Sequence, residues 1–91
     1  MKKRIECKVV GQVQFVGFRY FTDRKAKQLG IVGTVGNLDD GSVRVIGEGE
    51  EDKLNELVSY LKKGPAFAKV ENVEVVSTAP QGVFTDFQII F

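Results

Sequence analysis

The 91-residue sequence contains no histidine and a single cysteine, Cys7. Without histidine the chain lacks the commonest protein general base and metal ligand, and one cysteine cannot form a disulfide within the chain. Any chemistry must therefore use other polar side chains, such as Arg, Lys, Asp, Glu, Asn, Gln or Tyr, or backbone groups. We predict no metal site and no cofactor.

Long apolar runs are also missing. The basic start at residues 2–4 resembles the first part of a signal peptide, but Glu6, Lys8 and Gln12 interrupt the apolar segment that should follow it. No run approaches the roughly 18 apolar residues that a membrane span requires. We therefore expect a cytoplasmic protein that has no membrane partner.

An excess of one charge sign is absent as well. The chain has 13 Lys and Arg residues against 12 Asp and Glu residues, which gives a formal net charge of +1. A general nucleic-acid binder would normally carry a strongly basic face, so we expect no nucleic-acid partner. The length predicts one domain, residues 1–91, because separate cores rarely form below about 50 residues each.

Three regions in the first half of the chain have the pattern of β-strands. Residues 5–13 have the two-residue period of a half-buried strand. Residues 31–38 and 43–49 should form two antiparallel strands, because Asp39-Asp40-Gly41 between them favours a tight hairpin turn. The apolar face of the first strand carries Ile5, Cys7 and Val9.

Two segments have the spacing of amphipathic helices. The first is followed by Gly30 as a C-terminal cap, and the second lies between acids at residues 50–52, which suit the positive end of the helix dipole, and Gly64-Pro65. The apolar stripe of the first helix is Phe18, Thr22, Ala26 and Leu29. That of the second helix is Leu54, Leu57, Val58 and Leu61.

The remaining segments complete the fold prediction. Residues 70–77 are predicted as a fourth strand, 79–83 as a turn and 84–91 as a last strand. The order predicts an α+β, ferredoxin-like βαββαβ sandwich, in which two helices pack on one face of an antiparallel sheet. We expect a monomer, although residues 84–91 could form a sheet edge that invites pairing.

The loop between the first strand and the first helix is the predicted functional site. It contains Gly11 and Gly17 and leads into a helix N-terminus, where unpaired backbone N–H groups can surround an anion of phosphate size. Arg19 follows, and its planar guanidinium could close over the bound oxygens. A structural turn with a surface arginine would show the same features, so the loop alone leaves both interpretations open.

Two sequence blocks resemble those of a known family. The segment Gly11-x-Val13-Gln14-x-Val16-Gly17-Phe18-Arg19 resembles the acylphosphatase signature, and Gly33-Thr34-Val35-Gly36-Asn37 resembles a second block of that family. The resemblance spans nearly the whole chain. It implies hydrolysis of a small-molecule acyl phosphate to a carboxylate and inorganic phosphate, without a metal ion, and phosphate or a similar anion as product or inhibitor.

The same resemblance implies residue roles. Arg19 matches the family's phosphate-binding arginine, and Asn37 matches its water-positioning asparagine. In phosphoryl transfer the protein mainly positions groups and stabilises charge, and a carboxylate leaves with little protonation, so the absence of histidine is no obstacle. The phosphate cradle would consist of the backbone amides of Phe15, Val16, Gly17, Phe18 and Arg19.

Phe15 departs from the family pattern, which has glycine at this position. A tight turn around phosphate favours positive φ there, and a bulky L-residue loses roughly 1–2 kcal/mol in that conformation. We therefore expect weaker phosphate binding and lower turnover than in a variant with the glycine restored. The alternatives are a catalytically weakened anion-binding module and, less favoured, a ferredoxin-like RNA-binding or regulatory domain.

Other reactive groups are assigned structural roles. A Cys-x5-Arg phosphatase loop ending at Arg19 would need its thiol at position 13, which is Val13, so Cys7 is predicted to be a small core residue. Asp39 and Asp40 are adjacent carboxylates, and a turn with solvated acids explains them better than a metal site.

Overall fold

The two-residue period of the first strand directs its apolar side chains into the centre of the protein, as seen in a computed structural model that describes residues 1–91. Ile5, Cys7 and Val9 are buried there, as predicted. The elements are β1 (Lys2–Gln12), α1 (Phe18–Gln28), β2 (Val32–Asn37), β3 (Val43–Glu50), α2 (Glu51–Lys63), β4 (Lys69–Thr78) and β5 (Phe87–Ile89).

The five strands form one sheet in the order β4-β1-β3-β2-β5. β1 pairs antiparallel with β3 and β4, and β2 pairs antiparallel with β3. The predicted hairpin between β2 and β3 is confirmed: Leu38 N–H donates to the Ser42 carbonyl at 2.9 Å, and Gly41 has φ 93°. Glycine suits that turn because it adopts positive φ without a steric penalty.

The last strand differs from the prediction in length and in pairing. Only Phe87–Ile89 of the predicted 84–91 forms a strand, and it lies parallel to β2 at the sheet edge, which makes the sheet mixed. Upstream of β5, the amides of Gln81 and Gly82 donate hydrogen bonds to the Glu48 carboxylate, both at 3.0 Å. Phe91 has φ 54°, which is incompatible with an extended strand.

Both helices occur where the apolar spacing predicts them. Gly30 follows α1 with φ 71°, and Ile31 N–H donates to the Ala26 carbonyl, which is the six-to-one bond of a Schellman cap. The rings of Phe21 and Tyr60 stack between α1 and α2 at 4.4 Å. The predicted ferredoxin-like α+β fold is confirmed: both helices cover the same side of the sheet.

The other face of the sheet carries charged side chains in cross-strand pairs. Arg4 Nη1 lies 2.9 Å from Glu48, and both side chains are buried. Arg44 contacts Glu6 at 2.8 Å, and Lys8 contacts Asp40 at 2.8 Å. None of the helices combines the length and the apolarity needed to cross a membrane.

Candidate active site

The loop after β1 ends at Gly17, whose backbone has the left-handed conformation and which directly precedes α1. Gly17 has φ 80° and precedes the first helical residue, Phe18. No side chain caps this end of the helix. The amides of Phe15, Val16 and Gly17 donate no hydrogen bond within the protein. The first-turn amides of α1 have no acceptor inside the helix either. The loop thus presents unpaired N–H groups at the positive end of a helix dipole.

Phe15 has the backbone conformation that was expected for its position. Its φ is 62°, in the left-handed region, and the residue is 93% exposed. The prediction that this position needs positive φ is therefore confirmed. Apolar burial offsets little of the backbone strain because the ring lies almost entirely in solvent.

Arg19 lies in the first turn of α1, so the helix fixes its direction relative to the loop. Its Nη1 donates a hydrogen bond to the carbonyl oxygen of Phe91, just beyond β5. The other N–H groups of this guanidinium have no acceptor in the protein. Most of the planar donor fork is therefore available to the oxygens of a bound anion.

Asn37 is the last residue of β2. Its Oδ1 is buried and accepts no hydrogen bond from the protein, and its backbone N–H donates to the Phe91 carbonyl at 3.4 Å. A buried acceptor without a donor is uncommon because it forfeits the hydrogen bond that water would provide. The Phe91 carbonyl contacts Arg19 as well, so Phe91 connects the two predicted residues, a contact that the sequence did not indicate.

Arg19 and Asn37 line one cavity of about 210 Å³. Of the predicted loop residues, Val16 does not line it. Arg19 is the only charged residue in the lining, so the cavity favours an anion. The complete lining is Val13, Phe15, Gly17, Phe18, Arg19, Tyr20, Asn37 and Ile89.

Gln14 connects the loop to the hairpin that carries Asn37. Its Nε2 donates to the carbonyl of Leu38 at 2.8 Å and to that of Ser42 at 2.9 Å. The side chain therefore holds the loop at a fixed distance from the end of β2. Gln14 belongs to the sequence block quoted above, but its spacing gave no sign of this contact.

Two groups outside the cavity have the structural roles expected of them. Cys7 is buried, and that burial raises the pKa of its thiol to about 12, so the nucleophilic thiolate is suppressed. Asp39 and Asp40 lie exposed in the hairpin turn, where Asp40 accepts hydrogen bonds from Ser42 and pairs with Lys8.

A larger cleft of about 460 Å³ lies elsewhere, between the start of β2 and the loop before β5. Its charged lining residues are Lys2, Glu48 and Glu50. Two carboxylates against one ammonium group disfavour an anionic ligand. This cleft is larger than the cavity at Arg19, but the charge of its lining suits an anion less well.

The whole chain is similar to known proteins. The family described as Acylphosphatase matches residues 5–89. A protein named acylphosphatase from Thermotoga petrophila is 49% identical over 87 residues, which cover 96% of each chain. Another, from Caldanaerobacter subterraneus, is 44% identical over 89 residues, 98% of this chain and 99% of the relative.

The fold is also similar to that of a solved structure. The crystal structure of acylphosphatase from Bacillus subtilis superimposes with a TM-score of 0.95 at 35% identity and covers 98% of this chain and 99% of that one. Family, sequence and fold thus coincide over almost the whole length of the protein. The chain belongs to the acylphosphatase family.

Proposed function

We propose that this protein hydrolyses the carboxyl–phosphate bond of acyl phosphates, with Arg19 and the loop amides binding the phosphate and Asn37 positioning the attacking water. The observation that carries the proposal is the shared cavity. It combines unpaired amides, a largely free guanidinium and Asn37, whose buried carboxamide oxygen has no hydrogen-bond partner in the protein.

Phosphate binding follows from the donors of the loop. The amides of residues 15–19 and the guanidinium would surround the equatorial oxygens, on which charge is spread in the transition state. These donors are held by the loop and the helix before substrate arrives, so little reorganisation is needed during the reaction. One preorganised donor of this kind commonly contributes about 3–4 kcal/mol to transition-state stabilisation.

Asn37 supplies an acceptor but no base. Its Oδ1 can accept a hydrogen bond from a water molecule and thereby direct the water oxygen at phosphorus. As the new P–O bond forms, the bond from phosphorus to the acyl oxygen breaks and the carboxylate leaves with the electron pair. The water proton passes to a phosphate oxygen of the substrate, so no histidine is required.

The proposal includes the setting in which the enzyme acts. Cys7 is a free, buried thiol and cannot form an internal disulfide, which suits the reducing cytoplasm. All the residues assigned to the site come from one chain, so a monomer is sufficient for activity.

RNA recognition on the same fold would use exposed aromatics on the central strands. On the open face of β1 and β3 the structure has the charged pairs Arg4–Glu48 and Arg44–Glu6 instead. Bases therefore lack a stacking platform there, and the open face does not favour the RNA-binding alternative. The other alternative, an anion-binding module weakened by Phe15, uses the same cavity and is separated by measuring turnover.

The first test is release of phosphate from benzoyl phosphate by the purified protein. Arg19→Ala should lower kcat/KM on the order of 10²–10³-fold because it removes a charged donor from the transition state. Arg19→Lys should retain only part of the activity, since an ammonium group lacks the planar fork. Lys53→Ala, which removes an exposed charge from α2, is the matched control and should have no effect.

The second variant is Asn37→Ala, with the exposed Asn55→Ala on α2 as its control. Because Asn37 is assigned to the water, its loss should lower kcat strongly while phosphate still inhibits at a similar concentration. Full activity in Arg19→Ala or in Asn37→Ala would refute the mechanism. Phosphate binding that depends on Arg19, in a parent without turnover, would instead favour the weakened module.

A further inference from the structure

Phe15 combines two features that are unfavourable for folding. Its backbone lies in the left-handed region at φ 62°, and the residue is 93% exposed. L-residues are strained in that conformation, and an exposed ring contributes almost no burial in return. The folded protein alone therefore gives no reason for a phenylalanine at this position, whereas a ligand that covers the ring would.

Phe15 lines the cavity that contains Arg19 and Asn37. Tyr20 and Ile89 line the same cavity, and these residues are 60% and 42% exposed. The lining thus includes both an anion-binding set of groups and a set of solvent-exposed, largely apolar residues. A polar site surrounded by large apolar side chains is typical of a pocket whose ligand has a polar and an apolar part.

An acyl phosphate has a charged part and an acyl part that can be apolar. Its phosphate carries the charge, and its acyl substituent, attached through a single bridging oxygen, must lie within a few ångströms of the bound phosphate. We infer that Phe15, with Tyr20 and Ile89, forms a wall that binds the acyl group, so that the enzyme prefers aromatic or bulky apolar acyl phosphates to small ones. This inference rests on the proposed function, because the phosphate orients the substrate.

Phe15 is the specificity-determining member of the wall because of its place in the chain. It belongs to the same loop as the unpaired amides of Val16 and Gly17, so the ring and the phosphate donors are positioned together. Phe67 provides a comparison within the same molecule: the residue is 85% exposed, but it lies outside the cavity and has no positive φ.

The experiment measures kcat/KM for benzoyl phosphate and for acetyl phosphate in each variant and compares their ratio. Phe15→Gly removes the ring and relaxes the backbone, whereas Phe15→Ala removes the ring and keeps the strain. In both, the benzoyl-to-acetyl ratio should fall about two- to tenfold, the range for losing one aromatic contact. Phe15→Tyr and Phe67→Ala should keep the parent ratio. Taking a ratio cancels differences in the folded fraction of each preparation.

The outcomes separate this inference from the function on which it rests. A ratio that stays at the parent value in both Phe15→Gly and Phe15→Ala, with hydrolysis of both substrates intact, would refute the wall and leave the activity standing. A fall in Phe15→Gly alone would assign the effect to the backbone and also refute it. A parent that hydrolyses neither substrate would overturn the proposed function itself.

Discussion

At the scale of single residues, the backbone of Phe15 gives the clearest stability prediction. Relief of left-handed strain is worth roughly 1–2 kcal/mol, and the greater freedom of glycine in the unfolded chain offsets about 0.5–1 kcal/mol of that gain. The exposed ring loses little burial when it is removed. Phe15→Gly should therefore raise the free energy of unfolding by about 0.5–1 kcal/mol, measured by urea denaturation.

Phe15→Ala is the control for that measurement, because alanine has the same left-handed penalty as phenylalanine. It should leave the midpoint of denaturation near that of the parent. Equal stabilisation by alanine and glycine would show that the exposed ring, not the backbone, is the source of the strain. The relaxed loop of the glycine variant should also raise the turnover of acetyl phosphate, which makes little use of the ring.

Residue identities could be predicted from the sequence only where a local pattern indicates them. Arg19 and Asn37 occur in two recognisable blocks, and the structure brings them to one cavity. The contact between Arg19 and the Phe91 carbonyl joins residues 72 positions apart and uses a backbone oxygen. Every residue has such an oxygen, so no residue type could have revealed this contact.

At the scale of elements, the loop and the β2–β3 hairpin act as a pair because Gln14 joins them. Its two hydrogen bonds fix the hairpin turn that begins directly after Asn37. Gln14→Met keeps the length of the side chain and removes both donors. It should destabilise the protein by about 1–2 kcal/mol, since the Leu38 and Ser42 carbonyls keep their backbone donors and lose only one partner each.

Gln14→Met also tests whether Gln14 positions the groups of the site. If Gln14 sets the distance between the water and the phosphate, Gln14→Met should lower kcat for benzoyl phosphate more than it raises KM. Gln12→Met is the matched control: Gln12 is exposed, lies two residues earlier and makes no side-chain hydrogen bond. Indistinguishable kinetics for the two variants would remove Gln14 from the positioning of Asn37.

Elements were predictable to the extent that their own residues determine them. The periodicity of α1, the capping glycine at position 30 and the turn at residues 39–41 are local signals, and the structure contains all three features. β5 is shorter than its alternating pattern suggests. At its C-terminal end the backbone of Phe91 has φ 54°, which the alternating pattern of side chains does not indicate.

At the scale of the whole molecule, the two faces of the sheet have different chemistry. One face packs apolar residues against the helices, and the other carries the ion pairs of Arg4, Glu6 and Glu48. The fold class could be predicted because the periods of strands and helices, the turn glycines and the element order all agree. The buried ion pair could not, since alternating charges on a strand are typical of a solvated face.

Acid stability depends on that buried pair. Burial alone would raise the pKa of Glu48, but the amides of Gln81 and Gly82 and the Arg4 guanidinium outweigh it and lower the pKa below its usual 4.5. The folded state therefore binds fewer protons than the unfolded state at this group. Its contribution is fully present above pH 4.5 and is lost as the pH falls through the lowered, folded-state pKa.

Glu48→Gln tests this linkage across the molecule. At pH 7 it should destabilise the protein by about 2–3 kcal/mol, less than a completely broken buried pair, because Arg4 still contacts Glu6. Below pH 4.5 the parent should lose stability more steeply than the variant, in which position 48 no longer titrates.

Glu71→Gln, at an exposed carboxylate without an ion pair, should follow the parent curve. Parallel curves for parent and Glu48→Gln in urea denaturation between pH 3 and pH 7 would show that other carboxylates, such as Glu6 beside Arg44, govern the acid response.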